Sequence, residues 1–227
     1  MASLNEKRSR TPQQAPSRAA VLPLVGSELA FDLTNTASGR GGPRWLEHLQ
    51  TAEDVIDWAR HAKVLTEKDH RQLRGRLAAN RRLASALLAR TLGLRDLIYA
   101  IGVAIASGSR PRGRDMDRLV RIHADCLARG RLIPTVATFA WVWNPAETPV
   151  EAILGPIALS ALSLLSGADL SRIKRCPGDH CGWLFFDTTK NKRRRWCEMR
   201  VCGNRAKVRA IRDRQRRAQK GRSSVSA

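Results

Sequence analysis

Cys176-Pro177-Gly178-Asp179-His180-Cys181 and, fifteen residues later, Cys197-Glu198-Met199-Arg200-Val201-Cys202 decide how this chain is read. Each stretch holds two cysteines with four residues between them. Four thiolates satisfy a zinc ion, which prefers soft ligands in a tetrahedron. Each short loop presents two sulfurs, and the segment between the pairs folds back to bring them together. Gly178 and Gly182 give the first loop its turn freedom. Residues 183–186 (Trp-Leu-Phe-Phe) read as the first strand of a hairpin and residues 194–197 as its return. A unit of about fifty residues buries too little apolar surface to stand alone, and a metal supplies the missing free energy. A closed four-cysteine site leaves no open position for water or substrate. The expected cofactor is therefore one structural Zn2+, held by Cys176, Cys181, Cys197 and Cys202. The alternatives are four unrelated buried thiols, His180 in place of one cysteine, and a thiol redox switch that ejects zinc on oxidation. Cys126, the fifth cysteine, lies on the apolar side of a predicted helix and reads as packing.

Charge surrounds this segment. The 227 residues hold 41 basic and 20 acidic side chains, a formal net charge of +21. Residues 172–227 hold 18 basic and 4 acidic ones (+14), against 23 and 16 (+7) in residues 1–171. Two thirds of the excess thus sits in a quarter of the chain, which is the footprint of a polyanion partner. Lys190, Lys192, Arg193, Arg194 and Arg195 precede the second cysteine pair. Residues 204–217 are a predicted helix carrying Arg205, Lys207, Arg209, Arg212 and Arg216, with Val208 and Ile211 pinning it along a narrow apolar stripe. These ten cations are the candidate nucleic-acid contacts, and double-stranded DNA is the expected partner. Trp183 and Trp196 are expected to cover the hairpin rather than to stack on bases. An anionic membrane surface and a solvated basic tail with no fixed partner are the competing readings.

Hydrophobic content of 43% permits a core. The longest apolar stretch, residues 152–165, has 14 residues and contains Pro156, whereas a membrane span needs about 20. No secretory signal is apparent. The expected location is the cytoplasm of a bacterium, at the nucleoid, where reducing conditions favour metal over disulfides.

The rest of the chain reads as a mainly helical α+β domain over residues 23–170, after a flexible tail over 1–22. Alternating Leu29, Phe31 and Leu33 predict a short strand over 28–34. Thr51 starts a helix to about 62. Thr66 starts another to about 91, with a break at Gly93 and helix again over 94–106. Residues 108–113 read as a basic turn and 115–128 as an amphipathic helix. Two strands follow at 132–136 and 138–143. A buried helix spans 149–165, kinked or split by Pro156. The finger is expected over 171–218 and a disordered tail over 219–227. Asp32, Asn35 and Thr36, at the end of the first strand, lie beside a Gly-rich loop with Arg40 and Arg44. Asp32, Asn35, Thr36 and Arg44 are the candidate small-ligand site, against the reading that such residues cap and turn the chain. His61 and His70 read as surface residues. The histidines have no metal or catalytic spacing with one another. The loop lacks a nucleotide cradle, no nucleophile elbow occurs, and no catalysis is assigned.

Cys176-Pro-Gly-Asp-His-Cys-Gly-Trp-Leu-Phe-Phe-Asp187, followed by Arg195-Trp-Cys-Glu-Met-Arg-Val-Cys-Gly-Asn-Arg205, resembles the CGNR-type zinc finger; Cys202-Gly203-Asn204-Arg205 is the tetrapeptide itself. The Pro-Gly-Asp-His insert in the first loop is a small departure. Leu29-Ala-Phe-Asp-Leu-Thr-Asn-Thr36, residues 49–58 and the helix before Cys176 resemble the ABATE domain that precedes this finger. The resemblance implies a stress-response transcription regulator. Its finger would bind DNA and its N-terminal domain would sense a ligand; formation of a homodimer by that domain is a further expectation of our own. The rivals are an RNA-binding or ribosome-associated zinc protein, a thiol redox sensor, and an enzyme housed in the N-terminal domain.

Overall fold

The computed structural model describes residues 17–40 and 45–223, with side chains as far as Arg217. The tail expected over 1–22 is already packed where it enters that range. Ala19 and Leu22 are buried, Ser17 Oγ donates to His48 O at 2.8 Å, and a 3-10 turn, Ala19–Val21, lies against the second helix. Residues 219–223, expected in a disordered C-terminal tail, instead continue the last helix to Ser223; residues 1–16 and 224–227 of the predicted tails, and Arg44, lie outside the described residues.

The architecture is α+β and mainly helical. Helix α1 is Leu29–Thr34, α2 Ala52–His61, α3 Glu67–Ala79, α4 Arg81–Ala106, α5 Gly113–Leu127, α6 Glu151–Gly167 and α7 Asn204–Ser223. Three two-stranded antiparallel sheets accompany them: β1 (Ala37–Ser38) with β2 (Leu46–Glu47), β3 (Arg131–Pro134) with β4 (Phe139–Val142), and β5 (Ile173–Arg175) with β6 (Leu184–Phe186). Caps fix the helix starts. Thr51 with Asp54, and Thr66 with Asp69, form reciprocal capping boxes at α2 and α3. Helix α4 is central and touches α1, α2, α3, α5, α6, β5 and β6. Phe31, Leu33, Leu49, Ile56, Trp58, Leu73, Leu87, Leu94, Leu119 and Ile153 are fully buried around it.

Several expectations are corrected. Residues 28–34 are not a strand: the N–H groups of Phe31 and Asp32 both donate to Glu28 O at 2.9 Å, opening helix α1. Ala30, Phe31, Leu33 and Thr34 are all buried, so no exposed face reveals the helical period. The helix expected over 66–91 ends at Asn80, whose extended backbone and Oδ1 (2.9 Å from Leu83 N) start α4. Gly93, the expected break, sits inside that 26-residue helix. Pro156 lies within α6 without splitting it. His70 is buried, with Nε2 2.6 Å from Asp57 Oδ1, and His61 is half-buried with Nε2 2.7 Å from Leu22 O.

The finger's hairpin also differs from expectation. Strand β6 pairs with β5, upstream of the first cysteines, in the register Ile173↔Phe186, Lys174↔Phe185 and Arg175↔Leu184. Residues 194–197 form no strand. The first cysteine loop is therefore the hairpin's turn, closed by Cys176 N donating to Trp183 O at 2.8 Å. Ile173 and Leu184 belong to the main core, so packing continues across the boundary expected at 170/171. A Cβ on Gly102 of α4 would stand 2.5 Å from Leu184 Cδ1. Glycine is what lets the finger hairpin lie against α4.

Candidate metal centre and basic face

The β5–β6 turn brings in the first two sulfurs. His180 and Gly182 take left-handed backbone conformations there (φ 56° and 70°), and Cys181 N donates to Gly178 O at 2.9 Å. A wide helical turn, Met199–Gly203, leads straight into α7 and supplies Cys202, while Cys197 precedes it. The four Sγ atoms all lie within 4.8 Å of one another. Cys197 Sγ is 3.6 Å from both Cys181 Sγ and Cys202 Sγ. Zinc–sulfur bonds of about 2.3 Å in a tetrahedron require sulfurs about 3.8 Å apart, so these residues fit the ion. His180 is not in the converging set; its Nε2 is 3.6 Å from Asp179 Oδ2.

The surroundings suit a closed structural site. Cys176, Cys197 and Cys202 are buried and Cys181 is half-buried, covered by Phe185, Trp183, Trp196 and Val25. Both tryptophans therefore pack on the site, and Trp183 Nε1 donates to Ala37 O at 3.0 Å. A Cβ on Gly178 would come 3.0 Å from Cys202 Sγ, so the loop must approach bare. The thiol hydrogen bond with Cys176 pushes Cys181 up to about 12. Cys197 is raised by its hydrogen bonds to Cys176 and Cys181 and by burial. Four thiols this close cannot all ionise without a cation to neutralise them.

Asp187 organises the loop between the cysteine pairs. It is fully buried. Its Oδ2 accepts from Lys174 Nζ (2.6 Å) and Arg194 N (2.9 Å), and its Oδ1 accepts from Thr189 N and Oγ1. Burial opposes its ionisation, but Lys174 and Thr189 hold it well below the usual carboxylate range. Arg194 is a clip. It donates to Val25 O and Cys197 O (both 2.6 Å), Ser27 Oγ (2.9 Å) and Trp196 O (3.2 Å), with its guanidinium 4.4 Å from the Phe185 ring centroid. The other predicted contacts are distributed unevenly. Lys192 pairs with Asp169 at 2.5 Å, and Arg209 pairs with Asp179 of the first cysteine loop. Arg195 lies over Trp196 at 5.5 Å. Lys190, Arg193, Arg205, Lys207, Arg212 and Arg216 are exposed and hold no ion pair among the described residues.

Helix α7 departs from expectation. Val208 and Ile211 are about half exposed, so no apolar stripe pins the helix. It is held at its base by the turn that carries Cys202 and by the Asp179–Arg209 pair. Arg205, Arg209, Arg212 and Arg216 recur at one-turn and two-turn intervals along one side. With Arg200, which the sequence reading missed, they line an open groove of about 940 Å³ whose other wall includes Ser38, Gly39 and Leu46. Asp179 was missed too. Its signal was one of only four acids in a segment with 18 cations.

The candidate ligand residues are placed inside the fold. Asn35 donates Nδ2 to Leu184 O (2.9 Å) and accepts from Leu184 N (3.0 Å). Thr36 Oγ1 donates to Leu33 O, and Asp32 Oδ1 accepts from Gly26 N, both at 2.8 Å. A cleft of about 410 Å³ opens between the N-terminal domain and the finger; it adjoins the basic groove, sharing Ser38, Leu46 and Arg205 with it, and is also lined by Arg18, His48, Cys181 and Trp183.

Residues 27–168, more than half of the chain, match the ABATE family profile, described as "Putative stress-induced transcription regulator". The chain belongs to the ABATE family. Residues 172–215 of this ABATE protein match the CGNR zinc finger, so the four converging cysteines are a zinc site with one structural ion. No curated protein matches the chain. No helix among the described residues is long and apolar enough to cross a membrane.

Proposed function

We propose that this protein regulates transcription by binding duplex DNA through α7 and the loop at 190–195, acting at the nucleoid of a bacterial cytoplasm and carrying out no catalysis. The observation that supports this reading most is the state of α7. It leaves a turn that carries the zinc ligand Cys202, shortly after the ligand Cys197, and its cations among the described side chains are exposed with most of them unpaired. A solvated helix about 30 Å long and 10–12 Å across suits the width of a major groove. When bound, zinc sets the direction of that helix by closing Cys202 onto the hairpin. Arg205, Arg212 and Arg216 meet phosphates, and Arg193 and Lys190 flank them. Fluorescence anisotropy with a labelled duplex, competed by duplex DNA, duplex RNA and single strands, tests the reading. Duplex DNA should compete best at every salt concentration. Stronger competition by either form of RNA would replace DNA with RNA as the partner.

The cleft at the junction favours a second element of the reading, a small ligand sensed next to the finger. Its volume falls in the range of small-molecule sites, and Arg205 and Cys181 line it together with Ser38 and His48 of the N-terminal domain. Native mass spectrometry of protein purified from its own cells should show a bound adduct that Ser38→Trp abolishes. An adduct insensitive to that change would place the ligand elsewhere.

A further inference from the structure

Helices α5 and α6 are joined by a hairpin that takes no part in the zinc site, the basic groove or the junction cleft. Strands β3 and β4 pair only with each other, so each has an open edge among the described residues. One side of β4 is anchored. Trp143 is buried and donates Nε1 to Cys126 O at 2.7 Å, and Trp141 packs on the core. The rest projects. Leu132, Ile133, Phe139 and Val142 are 51, 41, 63 and 37% exposed, Val136 at the turn is wholly exposed, and Val120 of α5 adds 51%. An isolated apolar hairpin with open edges is a liability that monomeric proteins avoid.

Charge narrows the partner. Residues 132–146 contain no charged side chain. Residues 115–151 carry Asp115, Asp117, Asp125, Glu147 and Glu151 against Arg118, Arg121, Arg129 and Arg131, a net of −1 within a chain of +21. Nucleic acid and an anionic membrane find no net positive charge to neutralise here. A second copy of this chain meets little like-charge repulsion here, unlike on its strongly basic finger. Area supports the same partner: the six exposed side chains present roughly 600 Å², so a two-fold pair covers about 1,200 Å², the lower end of specific interfaces. An open strand edge also meets its own copy in antiparallel register under two-fold symmetry, without any other complementary surface.

We infer that the β3–β4 hairpin is a homodimer interface, formed with a second copy of this chain through Leu132, Ile133, Val136, Phe139 and Val142. The pair places the two zinc fingers symmetrically about the two-fold axis. Sedimentation equilibrium of the intact zinc-loaded protein, over roughly 1–100 μM, reads the result without any DNA. The 25.2 kDa chain should sediment at twice that mass. Val136→Asp and Phe139→Asp, each placing two carboxylates in the shared apolar contact, should raise the dissociation constant about 100-fold. Both variants should keep zinc content and melting temperature, because neither side chain is buried. Wild type at 25.2 kDa across the range would overturn the inference. So would variants that remain dimeric, or a monomer that instead sediments with neutral phosphatidylcholine vesicles.

Discussion

Removing Arg205, Arg212 and Arg216 together should change the salt dependence of DNA binding by a calculable amount. All three are exposed on the groove side of α7, and none forms an ion pair among the described residues. Alanine at each therefore removes a proposed phosphate contact without breaking an internal pair; Arg209 is left alone because it holds Asp179. Each neutralised phosphate contributes about 0.9 to the slope of log K against log salt for a duplex, so the triple variant should lose about 2.7. If Lys190, Arg193 and Lys207 also meet phosphates, the wild-type slope is about −5.4, and affinity falls about 2,000-fold between 50 and 200 mM salt, against about 40-fold in the variant. Anisotropy titrations at four salt concentrations measure both slopes. Alanine at Arg71, Arg74 and Arg82, exposed cations of α3 and α4, changes net charge equally and should leave the slope within about 0.5 of wild type. A slope change below about 1 in the α7 variant, or an equal change in the control, would show that net charge rather than this helix does the binding.

Cys197→Ser removes the sulfur that lies 3.6 Å from two others. Zinc measured by plasma emission should fall from one ion per chain to near zero and DNA affinity should be lost, while circular dichroism keeps most of its helix; retained zinc with retained affinity would refute the assignment. Arg194→Ala breaks the clip to Val25, Ser27, Trp196 and Cys197. It should cost about 2–4 kcal/mol in denaturant unfolding and leave the salt slope nearly unchanged, whereas Arg193→Ala should do the reverse. Burial raises Asp32 to about 6, above its unfolded value of about 3.9. The folded state thus loses stability as pH rises from about 4 to 6, and the loss is complete above that, on the order of 3 kcal/mol. Asp32→Asn keeps the acceptor for Gly26 N. It should raise the melting temperature by roughly 6–12 °C at pH 7.5 and by nothing at pH 4, and a pH-independent gain would assign the effect to packing.

What the sequence revealed was what local chemistry encodes. Paired cysteines at fixed spacing, capping threonines and an arginine-dense helix each carry their signal within a few residues, and Cys176, Thr51, Thr66 and Arg205 all stand where local reading puts them. What it hid depends on partners distant in the chain. Helix α1 looked like a strand because its neighbours, α4 and α6, cover it on nearly every side. Arg194 and Arg193 are adjacent and chemically identical, yet Val25 O and Phe185 capture one and water keeps the other. Asn35 suggested a ligand contact, and the group it contacts is the backbone of Leu184, 149 residues away. Polar residues at a loop advertise unsatisfied hydrogen bonds, but only the tertiary structure says whether a ligand or the chain itself satisfies them.

The same contacts decide how the two halves communicate. A finger on a flexible linker would bind DNA independently of the domain before it. Here Leu184 and Ile173 are part of the main core, Asn35 holds both backbone groups of Leu184, Trp183 Nε1 reaches Ala37 O, and Tyr99 of α4 donates to Gly182 O at 3.0 Å inside the zinc hairpin. Beyond Cys202, by contrast, what secures α7 among the described residues is chiefly the turn at its base and the Asp179 pair. These contacts tie β1, α1 and α4 to the first cysteine loop, and Asp179 ties that loop to the base of the arginine helix, so a ligand that shifted the core would, under the proposed function, act on the helix through close packing. Under the proposed function, the division that matters lies not at the start of the finger but inside it, between a hairpin built into the N-terminal core and an exposed basic helix available to a polyanion.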